Sequence, residues 1–135
     1  MPEGMKKGVE LTVMAFDFGT RRIGVAVGNT LTKAGQPLKI IEEPSEDVRF
    51  KAIQALIKEW QPNHLVVGLP CHPDGAEHEM SAKARRFGNQ LHGRFQLPVE
   101  WVDERYTSAV LEGDPDMRDN LDAESAALIL EQYFL

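Results

Sequence analysis

Cysteine occurs once in this 135-residue chain, at Cys71. That excludes an internal disulfide and fits a reducing compartment such as the cytoplasm. Long apolar runs are missing, and none approaches the roughly 20 residues needed to cross a bilayer, so no membrane association is expected. Basic residues are the minority: 15 Lys and Arg stand against 21 Asp and Glu, a net charge of −6. This deficit speaks against a protein held to nucleic acid by overall charge. It does not speak against an enzyme whose carboxylate cluster lies inside a local basic rim, because bound metal ions return positive charge where a phosphate sits. Repeats, low-complexity tracts and linkers are absent as well. Hydrophobic residues reach 42%, too many for disorder and enough for one core at this length. Met1 to Gly8 has two lysines but no apolar segment, unlike a secretory signal. The expected organisation is a flexible tail over 1–10 and a single domain over 11–135.

What is present has clear periodicity. Residues 11–17 read as a buried strand, Phe18 to Arg22 as a turn, and residues 23–28 as a second strand. The second strand has two unlike faces: Ile23, Val25 and Val27 on one, Gly24, Ala26 and Gly28 on the other. The small face invites close backbone approach, and the tight turn predicts an antiparallel hairpin. A third strand is expected near Pro37–Glu42. Ser45 is placed to cap a helix with Glu46 and Asp47 in its first turn. Ile53, Leu56, Ile57 and Trp60 mark its inner face, and Pro62 stops it. His64–Leu69 reads as a strand that runs into Gly-Leu-Pro, with Gly68-Leu-Pro taken as loop chemistry. A second helix follows from about Glu77 to Phe95 with Met80, Ala84, Phe87, Leu91 and Phe95 in one stripe. Pro98–Asp103 is a fifth strand and about Leu121–Phe134 a last helix. The order predicts an α/β fold: a mixed five-stranded sheet, antiparallel in its first three strands and flanked by helices.

Three acidic positions fall where such a sheet collects its chemistry. Asp17 ends the first strand and Glu104 follows the fifth, at carboxyl ends of strands. Asp122 opens the last helix, in step with Ala126, Ile129 and Tyr133 on its apolar face. A carboxylate there needs a partner, and three converging carboxylates suit a hard divalent cation, Mg²⁺ or Mn²⁺, better than zinc. Each position also has a structural explanation: Asp17 as a turn cap before Gly19, Glu104 as a surface residue, Asp122 as an acid favoured by the helix dipole. His64, His72, His78 and His92 are scattered and read as surface or structural. Arg21 and Arg22 are placed to hold a phosphate near Asp17. Lys83, Arg86, Gln90 and Arg94 form a helix stripe that reads first as a solvated face and second as a phosphate-contacting ridge. Thr107 and Ser108 suit a helix cap or a phosphate contact.

Taken in order, Asp-Phe-Gly-Thr-Arg-Arg-Ile-Gly-Val-Ala-Val (17–27), Val-Gly-Leu-Pro (67–70), Asp-Gly (74–75), Asp-Glu-Arg-Tyr-Thr-Ser (103–108) and Asp-Ala-Glu-Ser-Ala-Ala (122–127) resemble the YqgF family. Its members are bacterial proteins described as pre-16S rRNA nucleases or Holliday-junction-resolvase-like proteins. The resemblance runs from about residue 10 to the end. It implies an RNase H-like fold and divalent-metal hydrolysis of phosphodiester bonds, with Asp17, Glu104 and Asp122 as catalytic, metal-holding carboxylates. A two-metal mechanism is the expectation, with Arg22 orienting the phosphate. Arg21, Arg105, Thr107, Ser108, Lys83 and Arg86 are the further substrate contacts. The implied role is trimming the 5′ end of the 16S rRNA precursor in the cytoplasm, on RNA or ribosomal particles, as a monomer or weak dimer.

One departure is local. Between Ser108 and Asp122 the family usually carries a longer stretch with glycine and lysine. Here it is short and acidic, and the lysine-borne phosphate contacts of the family are missing from it. Three other readings stay open at this level. One is a junction resolvase acting on branched DNA. Another is a non-catalytic nucleic-acid-binding assembly factor, which the net charge favours slightly. The last is nucleotide handling, since Asp17-Phe-Gly-Thr resembles the first phosphate loop of sugar kinases and actin-like ATPases. Those proteins enclose nucleotide between two such domains, whereas this chain predicts one.

Overall fold

The computed structural model describes residues 11–19, 21–69, 79–103 and 121–134. The 1–10 tail and the acidic 109–120 stretch lie outside the described residues. Five strands, β1 (Thr12–Phe18), β2 (Ile23–Asn29), β3 (Gly35–Ile41), β4 (His64–Leu69) and β5 (Val99–Asp103), form one sheet in the order β3-β2-β1-β4-β5. β1, β2 and β3 are antiparallel neighbours, while β4 and β5 run parallel to β1. The helices are α1 (Glu46–Trp60), α2 (Glu79–Phe95) and α3 (Leu121–Tyr133). No helix among the described residues is long and apolar enough to cross a membrane.

Alternation along β1 divides the core. Met14 and Phe16 point to one face and pack with Ile23, Val25, Ile41, Leu65 and Val67 beneath α1 and α2. Val13 and Ala15 point to the other face, with Val66, Ile129 and Leu130 of α3. The first face is built from large side chains. Phe50 and Ile53 of α1 and Ala84, Phe87 and Leu91 of α2 are buried there, each larger one contributing about 1.5–3 kcal/mol of transfer free energy. Ser45 holds the N-cap position of α1, but its side chain makes no capping hydrogen bond. The helix ends where Gln61 takes a left-handed conformation and its N–H donates to the Ile57 carbonyl at 2.7 Å, one residue before Pro62.

The second face is built from small residues. Ala26 packs directly on Ala126 and Ala127. A methyl group placed on Gly28 would run into the Ala34 carbonyl and lie 3.0 Å from Leu130 Cδ2; on Gly35 it would strike the Ala127 carbonyl and lie 2.9 Å from its Cα. Helix α3 therefore rests on the sheet nearly backbone to backbone, as the small face of β2 predicts. The third strand begins at Gly35 rather than Pro37, because Gly35 and Gln36 already pair with Gly28 and Val27; the Gly35 amide also donates to Glu131 Oε2 at 3.4 Å. A register shift at Val25/Ala26 lets Pro37 sit opposite Ala26 on the edge strand.

Gly35→Ala should lower stability by about 1–3 kcal/mol, since backbone atoms of α3 must move to admit the methyl. Urea unfolding should show a reduced midpoint with the slope unchanged. A midpoint equal to wild type would mean that α3 does not press on β3 as described.

Candidate active site

Asp17 is the sixth residue of β1, near its carboxyl end, and alternation gives it the Val13 and Ala15 face beneath α3. It is half-buried. Its antiparallel partner is Gly24. On the parallel side Phe16 pairs with Val67, so Gly68 is the next residue along β4. Gly24 follows Ile23 and Gly68 follows Val67, both of which face α1 and α2; the two glycines therefore share the α3 face with Asp17. The carboxylate stands in a row Gly24–Asp17–Gly68, flanked on each side by a residue with no side chain. Gly68 lies inside β4 and pairs with Val102, as the strand expected over His64–Leu69 has it, so the loop chemistry read into Gly68-Leu-Pro does not begin at Gly68. This places a residue without a side chain beside Asp17.

Helix α3 runs back across the sheet from this end. Leu130 meets Gly28 and Glu131 meets Gly35, at the far end of β2 and the start of β3. Ala123 and Glu124 lie beside Lys39 and Ile40, and Ile40 pairs with Gly24. The first turn of α3, which contains Asp122, is thus at the level of the Asp17 row. The carboxyl end of β5 is at the same sheet end, with Val102 and Asp103 paired to Gly68 and Leu69. Glu104 is the next residue in sequence and lies outside the described residues, as do Arg105, Thr107 and Ser108. The topology brings Asp17 and the α3 start together. No group of three His, Cys, Asp or Glu side chains able to hold a metal occurs among the described residues.

The predicted cations divide into two sets. Arg21 and Arg22 are exposed on the β1–β2 turn, and Arg22 Nε lies 3.5 Å from Glu42 Oε2. Lys83 and Arg86 are exposed on α2. The other half of that stripe serves packing: Gln90 Nε2 donates to Glu46 Oε1 at 2.7 Å, and the Arg94 guanidinium lies 4.1 Å over the Phe50 ring. Phe50 stacks on Phe87 and Phe87 on Phe18, with centroids 5.9 and 4.8 Å apart. The residue after Asp17 is thereby anchored on the opposite face of the sheet. Sequence reasoning passed over Arg49, on the first turns of α1. Its Nε donates to the Glu43 carbonyl at 2.6 Å, and it lines a groove with Arg21 and Arg22. A cation four residues after a helix cap, amid Glu42, Glu43, Glu46 and Asp47, gives little signal in sequence.

A family model described as RuvX: Holliday junction resolvase matches residues 11–135. The chain belongs to the RuvX family. This is the family that the ordered motifs resemble under the name YqgF. A RuvX relative from Polynucleobacter necessarius is 76% identical over 124 residues, covering 92% of this chain and 84% of its own length. One from Paraburkholderia xenovorans is 57% identical over 130 residues, covering 93% and 89%. Both carry the provisional name pre-16S rRNA nuclease. Among solved structures, Thermus thermophilus RuvC in complex with a Holliday junction substrate aligns with a TM-score of 0.55 at 16% identity, over 92% of this chain and 93% of that one. The fowlpox virus Holliday junction resolvase aligns with a TM-score of 0.52 at 11% identity, over 92% and 96%. At such identities the likeness is one of fold, and the sheet and helices of this RuvX chain are of the RNase H-like class.

Away from Asp17, burial first and the Glu100 carboxylate second, which also accepts its hydrogen bond, raise the Tyr133 phenol above its ordinary value of 10. A raised phenol favours the folded state fully below pH 10, and that contribution fades as pH climbs through the raised value. Glu100→Gln should bring the Tyr133 ionisation back toward 10 in an absorbance titration of phenolate, with Tyr133→Phe identifying the transition. An unchanged transition in Glu100→Gln would remove Glu100 as a cause.

Proposed function

We propose that this chain is a divalent-metal-dependent endonuclease that hydrolyses phosphodiester bonds, acting in 5′-end processing of pre-16S rRNA in the cytoplasm through one nuclease domain over residues 11–135. The observation that carries the reading is the Asp17 row. A half-buried carboxylate stands at the carboxyl end of a central strand, with glycine on both sides and the start of α3 at its level, and a carboxylate is the oxygen ligand a hard cation takes. The names of the relatives supply the substrate.

Asp17, Glu104 and Asp122 would hold Mg²⁺ or Mn²⁺, as a pair of ions in the two-metal reading. When bound, the ions lower the pKa of the attacking water and stabilise the leaving 3′ oxygen. The chain itself supplies oxygen ligands and a fixed platform. Phe18, stacked on Phe87, holds the end of β1, and α3 packs on the same face of the sheet as Asp17. Arg21 and Arg22 on the neighbouring turn would hold a backbone phosphate, with Lys83 and Arg86 contacting more distant ones and Arg105, Thr107 and Ser108 completing the contacts near Glu104. No protein nucleophile is required.

Cleavage of a 5′-extended 16S precursor and of a four-way DNA junction, each with Mg²⁺ or Mn²⁺, tests the reading. The precursor should be cut. Asp17→Asn, nearly the same size, should reduce cutting to background while keeping the unfolding midpoint close to wild type. Undiminished cutting by this variant would remove Asp17 from the site. Preference for the junction would move the substrate to branched DNA, and activity on neither would leave a binding module.

A further inference from the structure

Phe18 follows Asp17 in β1 and lies on the α1 and α2 side of the sheet, where it borders a pocket of about 200 Å³. Phe18, Ile23, Phe50 and Phe87 supply the apolar wall of this pocket, and Glu46, Arg49 and Gln90 its polar part. One carboxylate and one guanidinium offset each other, so the lining has no net formal charge. Both are already held: Arg49 donates through Nε to the Glu43 carbonyl, and Glu46 accepts from Gln90 Nε2 at 2.7 Å. These bonds fix the polar part without exhausting it. A carboxamide that uses one N–H still has a second N–H and a carbonyl oxygen, and a carboxylate has further lone pairs. The rings differ in exposure. Phe50 and Phe87 are buried, and the Arg94 guanidinium covers Phe50. Phe18 is half-buried, stacked on Phe87 with 28° between the planes, so it is the ring that an entering group meets. A ring-walled pocket without net charge, bordered by donors and acceptors, suits a planar heteroaromatic better than a phosphate. At about 200 Å³ it lies below the roughly 300–1,000 Å³ of a drug-sized ligand's site, which limits the occupant to one ring system and excludes a base pair.

We infer that this pocket receives one unpaired base of the nucleic-acid strand, seated against Phe18 and hydrogen-bonded along its edge by Gln90 and Glu46. The inference rests on the nuclease reading for the identity of the strand. Asp17 and Phe18 are consecutive in β1 and belong to opposite faces of the sheet. The strand therefore turns over the sheet end, with a phosphate at Asp17 on the α3 face and a nearby base on the α1 and α2 face. A base in a duplex offers neither its ring face nor its Watson–Crick edge, so the occupant comes from a single-stranded or splayed segment. The pocket thus favours unpaired strand at the place where Asp17 acts.

The test uses the full chain and measures binding without added divalent metal, then cleavage with Mg²⁺. The probes are the single-stranded 5′ extension of the 16S precursor, as RNA and as DNA, and the corresponding duplex. Each single strand is also made as a series that lacks one base at each position in turn. Loss of the base at one position should weaken wild-type binding about fivefold, at the low end of a base–aromatic stacking contact. Phe18→Leu should weaken binding of the intact strand by the same factor and abolish the dependence on that base. The slope of log affinity against log salt should stay unchanged, because no phosphate contact is lost. Phe18→Tyr keeps the ring and should restore wild-type behaviour. Gln90→Ala leaves Phe18 in place, which guards against a local folding defect, and should reduce the penalty for the missing base. Dependence in the RNA or the DNA series supports the pocket and identifies which strand it takes. Equal wild-type affinity across both series overturns it, as does a Phe18→Leu effect of the same size on the duplex. If a probe is cut but no position shows the dependence, the pocket is overturned and the nuclease reading stands. If the Phe18-linked dependence appears and no probe is cut, the pocket stands and the nuclease reading fails. Binding of no strand overturns the two together.

Discussion

The seating of α3 on the glycine- and alanine-lined half of the sheet determines where the acidic residues can meet. A helix packed through leucines would stand well off the strands. Through Ala26, Gly28, Gly35, Ala126 and Ala127, α3 comes down to backbone contact, and its first turn arrives at the row that contains Asp17. Small residues usually weaken a strand, since they bury little surface and cost entropy on ordering. Here that loss is offset by helix-to-sheet contact and by the position it gives Asp122.

The two faces of the sheet divide the labour. The α1 and α2 side holds the large side chains and most of the apolar burial. It also carries the line of rings from Arg94 through Phe50 and Phe87 to Phe18. The α3 side has no side chain directly beside Asp17 within the sheet, because its neighbours across the strands are Gly24 and Gly68. A carboxylate beside large neighbours would be desolvated without gaining a ligand. Here its cross-strand neighbours are two glycines, while rigidity comes from Phe18 on the reverse face.

Much of this arrangement was legible in the sequence. Period-two patterning located the strands, and the alternation of Ile23, Val25 and Val27 with Gly24, Ala26 and Gly28 announced that something would approach closely. The ordered motifs pointed to the family. Other features could not be read. The strand over His64–Leu69 could be read, but that Gly68 stands beside Asp17 could not, because glycine marks turns far more often than a row beside a carboxylate. The inward use of Gln90 and Arg94 depends on where α1 lies against α2, which periodicity within one helix does not state. Arg49 was hidden for the same reason: its place beside Arg22, in a turn 27 residues upstream, depends on how α1 packs and on one backbone carbonyl.

The contact between Gly35 and α3 joins residues 96 positions apart in sequence, and this gives the fold an order in time. The β1–β2–β3 meander pairs near neighbours and can form early, whereas α3 must close a long loop before its contacts reward it. Until it does, the glycine face is wet and Asp17 is an ordinary surface acid. Hydrogen exchange during refolding would then protect the β1–β2 amides ahead of those in α3. On this ordering the first turn of α3 reaches the level of the Asp17 row only at the last step of folding.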